Sequence, residues 1–199
     1  MLQKKIWGWG MLFALSCPMV SAQQHTTEML PFGNMDQWID RQIKESGIIG
    51  GETKHVYAIG PTKTITDNSA YKNMGGSPWA TSNVMARVAG ITKTNTSVFP
   101  EQRGDGFCAR MDTRMESVKV FGLVDITVLA AGSMFLGEVH EPIKGTKNPQ
   151  KMLDSGIPYT KKPVAIQFDY KVKMSDREKR IRATGFSRIT DCLLYTSDA

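Results

Sequence analysis

Two packed antiparallel β-sheets preceded by one short helix are the fold this sequence predicts. From Lys54 onward apolar residues recur at every second position, and Gly, Pro and Asn cut the chain into short runs rich in Val, Ile, Thr and aromatics. Only the segment from Asn34 to Gly47 keeps a helical spacing.

In that segment Met35, Trp38, Ile39 and Ile43 fall three and four residues apart, Asn34 is a capping residue and Gly47 closes the C-terminal end. A helix with Trp38 in the core is expected there. The clearest strand runs from Val164 to Lys173, where every even-numbered residue is apolar or aromatic and most odd ones are polar. One face of such a strand is buried and the other is wet. Noisier runs at Trp79 to Val88, Phe107 to Thr113, Met115 to Phe121, Val124 to Leu129, Ser133 to Val139 and Ile181 to Ile189 supply the remaining strands of an all-β sandwich.

The ends of the chain read differently from its middle. Residues 1–22 have the layout of a secretory signal peptide: Lys4 and Lys5, an apolar stretch from Ile6 to Val20, then Val20-Ser21-Ala22, with cleavage expected after Ala22. The stretch falls short of the roughly 20 apolar residues that span a bilayer, and Pro18 interrupts it as a helix. Ala14-Leu15-Ser16-Cys17 vaguely resembles a lipoprotein box, so lipidation at Cys17 is the competing expectation. Export to the periplasm, the outer-membrane surface or the exterior follows from either. Residues 23–30 are a linker and residues 31–190 the folded domain. Residues 191–199, which include Cys192 to Ala199, resemble translated sequencing adapter, so the tail is expected to be non-native and the natural domain to continue beyond about Thr190.

Charge and cysteine usage exclude several classes. Lys4 and Lys5 account for two of the +6 net charges, and the densest basic cluster, Arg177 to Arg182, contains Glu178 and has no interleaved aromatic for base stacking. Nucleic acid is therefore not the expected partner. Cys108 alone falls in the expected domain, so neither a disulfide framework nor a zinc site is indicated, and no cofactor or metal is expected. Cys108 reads as a strand residue packing inward. His140-Glu141 opens like a zinc-protease helix, but Lys144 stands where the second histidine belongs and Pro142 breaks the helix. Gly75 to Trp79 lacks the last glycine of a nucleophile elbow, Gly47 to Lys54 has the wrong spacing for a phosphate loop, and Arg103-Gly104-Asp105 reads as a turn between strands. Between Glu141 and Pro163 lies a proline- and lysine-bearing connection long enough to be an ordered excursion or a ligand-gripping loop.

The stretch from Tyr71 to Asn83 concentrates two aromatics, two asparagines and glycines at the entry to a strand. A pyranose stacks its apolar face on an aromatic ring while its hydroxyls take fixed donors and acceptors. Trp79 is thus the candidate stacking platform, with Tyr71, Asn83, Arg103 and Asp105 as polar or rim contacts to a glycan or oligosaccharide, and Asn95 nearby. Trp79 as a core residue is the competing explanation.

Six ordered blocks then carry a resemblance: Met35 to Trp38; Ser77-Pro78-Trp79-Ala80-Thr81-Ser82-Asn83-Val84; Arg103-Gly104-Asp105-Gly106-Phe107-Cys108-Ala109-Arg110; Ala130 to Gly137; Ser155-Gly156-Ile157-Pro158-Tyr159; and Lys162-Pro163 with Phe168 to Lys171. Together they resemble the putative carbohydrate metabolism domain family of exported gut-bacterial proteins, over about residues 30–190. The resemblance implies a jelly-roll sandwich similar to carbohydrate-binding modules and some xylanase-like glycoside hydrolases, with further strands after Thr190.

Three functions compete on this basis. A non-catalytic glycan-binding module uses Trp79. A glycoside hydrolase needs two carboxylates flanking a cleft, from among Asp105, Asp112, Glu116, Glu138 and Asp169. An adhesin-like or fimbria-related subunit assembles through a sandwich edge.

Overall fold

The computed structural model describes residues 26–73, 76–120, 124–145, 149–173, 179–184 and 188–193; residues 1–22, expected to be a signal peptide, lie outside the described residues. The fold is all-β, as the two-residue period predicts, with several antiparallel sheets consistent with a sandwich. Among the described residues the strands are β1 (Trp38–Lys44), β2 (Thr53–Ile59), β3 (Lys63–Ile65), β4 (Trp79–Thr81), β5 (Val84–Val88), β6 (Ile91–Asn95) and β7 (Val98–Arg103). They continue with β8 (Gly106–Met111), β9 (Thr113–Val120), β10 (Val124–Ala131), β11 (Met134–Val139), β12 (Leu153–Ser155), β13 (Lys179–Thr184) and β14 (Arg188–Leu193). The helical residues are two single 3-10 turns, Gly47–Ile49 and Pro149–Met152.

The expected helix from Asn34 to Gly47 is instead β1, the middle strand of its sheet, antiparallel to β2 and parallel to β3. Ile39 and Ile43 are four residues apart, a spacing that suits a helix and is equally two strand periods. Between them Arg41 points inward at 4% exposure, and its charge hides the alternation from a hydrophobicity reading.

The β1–β2 sheet packs its apolar face on other strands. Trp38 and Ile59 meet Val98 of β7, with Tyr57, Trp79, Ala109 and Met134 packed around them. Further along, Ile43 and Val56 meet Met85 of β5. Each fully buried aliphatic side chain here contributes about 1.5–3 kcal/mol of apolar burial.

Two tight hairpins set the register of the middle of the chain. β5 turns into β6 through Ala89 and Gly90, both at positive φ (49° and 78°), the combination a two-residue hairpin with matched twist requires. β7 turns into β8 through Gly104 and Asp105, with Gly104 at φ 58°, so the Arg-Gly-Asp tripeptide is a turn. The β9–β10 hairpin keeps an unbroken register from Val120↔Val124 to Thr113↔Ala131. Cys108 lies half-buried on β8 and is free. β14 pairs with β13 through Leu193, so the backbone ladder runs into the segment expected as a non-native tail.

The segment from Val164 to Lys173 is not a sheet strand, contrary to expectation. It belongs to none of the sheets among the described residues, and its apolar side chains stand in solvent. Alternation specifies a strand-competent segment; the partner has to come from elsewhere. No helix among the described residues is long and apolar enough to cross a membrane.

Candidate functional site

The site is built where β4, β11 and the segment before β4 converge on the edge of the β1–β2 sheet. β4 pairs antiparallel with β11, placing Leu136 opposite Trp79 and Met134 opposite Thr81, and the Gly137 N–H extends the ladder to Pro78 O at 2.9 Å. On its other edge β11 carries β12. Gly137, at φ 139°, has no space for a side chain, since a Cβ would meet Asp154 O at 2.0 Å. That close approach lets β12 lie against β11.

These elements enclose a cavity of about 270 Å³ whose lining includes Tyr71, Asn73, Trp79, Glu138, His140 and Glu141. Trp79 is half-buried: its ring packs against the Trp38 cluster, its Nε1–H donates to Pro31 O at 2.9 Å, and it still contributes to the cavity wall. The indole is therefore a fixed wall, neither a free shelf nor a sealed core residue. Tyr71 forms another part of the wall, with the Arg41 guanidinium 5.1 Å from its ring centroid in cation–π geometry. Burial raises the Tyr71 phenol above its usual value, and the Glu138 and Glu141 charges add to this while Arg41 works against it. The hydroxyl thus stays protonated and able to donate.

A buried ion pair forms the floor. Arg41 Nη1 and Nη2 donate to Glu141 Oε1 and Oε2 at 3.0 and 2.7 Å, with side chains only 4% and 2% exposed. Glu141 also accepts the backbone N–H groups of Tyr71 and Met85, each at 2.9 Å, while Arg41 reaches Ser69 O at 3.2 Å. One carboxylate thus ties β1, β5 and the Tyr71 segment together. At the rim, His140 Nε2 lies 2.6 Å from Asp154 Oδ2, and Asn73 Nδ2 donates to Ser77 O at 2.7 Å and to Glu138 Oε1 at 3.3 Å.

Of the five residues singled out in the sequence, Trp79, Tyr71 and Asn83 line this one cavity. Asn83 has its amide committed to the protein: Nδ2 donates to Tyr57 O and Val98 O at 2.8 and 2.6 Å, and Oδ1 accepts from Ser97 and Val98 N–H, both at 2.8 Å. It shapes the wall and has no hydrogen-bonding capacity left for a ligand. Arg103 and Asp105 sit on the exposed β7–β8 turn and are not among the lining residues. Asn95 likewise spends its Nδ2 on Ser82 O at 3.0 Å. Sequence reasoning missed Arg41, Asn73 and His140 as site residues. Only Arg41 carried a local sign, a charge on the inward parity of a strand.

An all-β domain with a small aromatic-walled cavity is what fold and site define. The chain belongs to the family described as putative carbohydrate metabolism domain, whose model matches residues 53–190. The match begins at the first residue of β2, so β1 lies ahead of it while pairing with all of β2. No curated protein and no solved structure matches the chain significantly.

Proposed function

We propose that this chain is an exported carbohydrate-binding domain that holds a glycan in the cavity walled by Trp79 and Tyr71. The observation that carries the proposal is that two aromatic side chains and the polar rim of Glu138, His140 and Asn73 line one concavity. A sugar demands that mixture of apolar face and directed polar groups. The family's carbohydrate-related description supports it, and the leader's basic start and apolar stretch support export.

Binding is favoured over hydrolysis by the placement of the carboxylates. Of Asp105, Asp112, Glu116, Glu138 and Asp169, only Glu138 is a lining residue among those described. The second carboxylate in the lining, Glu141, has both oxygens taken by Arg41 and two backbone N–H groups, two hydrogen bonds to each, which leaves no lone pair free to activate a water.

Isothermal titration against plant and host glycans tests the proposal. Saturable heat is expected with at least one glycan. Trp79→Ala should weaken that binding about tenfold or more, the loss of a stacking contact worth ~1.4 kcal/mol. Since Trp79 also packs on the core, Glu138→Ala serves as the variant on the exposed rim, weakening binding with an unchanged melting temperature. No heat with any glycan, from a folded chain, overturns the proposal.

A further inference from the structure

The cavity runs from a buried inner end to one exposed mouth. Ile59, Ala80, Thr81 and Asn83 line the inner end with the Arg41–Glu141 pair, and all of these side chains are buried. Among the described residues the exposed lining side chains are Lys72, Glu138 and His140. They gather on one side. The His140 N–H continues the β11 edge to Met152 O at 2.8 Å, so Glu138 and His140, two residues apart, share a strand face. Asn73, beside Lys72, donates to Glu138 Oε1 at 3.3 Å. The space is also small: about 270 Å³, below the roughly 300–1,000 Å³ of pockets that enclose a drug-sized ligand. A disaccharide is a ligand of that size, and a single pyranose is only one of its rings.

We propose that the cavity takes the terminal sugar of a glycan chain, one ring deep, and excludes internal sugars; the inference rests on glycan binding at this cavity. An internal sugar is linked on both sides of its ring, so seating one here requires a second exit for the chain. Such an exit would have to displace Ile59, which is locked in the Trp38 cluster, or part the two hydrogen bonds between Arg41 and Glu141 and strand a buried charge. A terminal sugar has a single linkage, which leaves through the mouth past Lys72, Glu138 and His140. The remainder of the chain then lies outside, beyond the aromatic walls, and adds little to affinity.

Isothermal titration of the full chain tests this with length series drawn from plant and host glycans, linear xylo-, cello-, malto- and manno-oligosaccharides among them, each from disaccharide to hexasaccharide. A disaccharide has no internal sugar, so a site for internal sugars ignores it, whereas a site for chain ends binds it as it binds the longer members. In the series that binds, the dissociation constants of disaccharide and hexasaccharide should agree within about threefold, with one protein bound per chain. Glu138→Ala, at the mouth, should weaken both lengths by the same factor. An affinity that climbs further with length, more than one protein per hexasaccharide, or a Glu138→Ala loss confined to the longer chains overturns the chain-end inference and leaves glycan binding standing. No heat at any length in any series overturns both.

Discussion

Glu141→Ala should lower the unfolding free energy by about 3–5 kcal/mol, because it leaves the Arg41 guanidinium buried and uncompensated. For a domain of this size that corresponds to a fall of roughly 6–20 °C in melting temperature. The effect is larger than for a simple ion pair, since the Tyr71 and Met85 N–H groups lose their acceptor as well. Replacing both charges with apolar residues, Arg41→Met with Glu141→Leu, therefore recovers only part of the loss: the charge penalty disappears, but each orphaned buried N–H still costs about 1–3 kcal/mol. Urea titrations of the single and double variants measure both quantities. A single variant as stable as the wild type contradicts the role assigned to the cavity floor.

Asn83→Ala is the second large effect, at about 2–4 kcal/mol, from four buried hydrogen-bonding groups left without their partner. Asn83→Asp separates geometry from chemistry. The carboxylate still accepts from Ser97 and Val98, but it puts negative charge against the Tyr57 and Val98 carbonyls, so at neutral pH it should be no better than alanine. Thermal melts of the two variants check this, and an Asp variant close to wild type would show that the two Nδ2 contacts are unimportant.

About half of the strands were legible as runs of alternation, though Trp79 to Val88 is two strands, β4 and β5, and Ile181 to Ile189 spans parts of two paired strands, β13 and β14. Met115 to Phe121 and Val124 to Leu129 correspond to β9 and β10, which pair with each other, whereas Ser133 to Val139 was legible as β11 from its own alternation although its partner β4 lies more than fifty residues earlier. β1 was misread because its inward face contains Arg41, and the reason an arginine belongs there is Glu141, a hundred residues away. The opposite error occurred at Val164 to Lys173, where near-regular alternation suggested a sheet strand but carried no information about what would cover it.

The site was legible in composition more than in geometry. Trp79 reaches the cavity on the strand that pairs with β11, and Tyr71 reaches it because its backbone N–H is held by Glu141. Arg103 and Asp105 seemed eligible by residue type, yet the tight β7–β8 turn carries them to a hairpin tip. Asn83 looked like a ligand contact because its chemistry is right, and no local pattern reveals that Tyr57, Ser97 and Val98 already use its amide.

The most direct measurement is a two-dimensional proton–nitrogen NMR titration of the chain with the glycan that gives heat, following the assigned indole N–H signals of Trp79 and Trp38. Trp79 lines the cavity, whereas Trp38 is buried in the cluster and donates to Met35 O at 2.7 Å. A saturable shift of the Trp79 signal with Trp38 unmoved is the predicted result; binding that leaves the Trp79 signal in place would contradict a sugar seated against that wall.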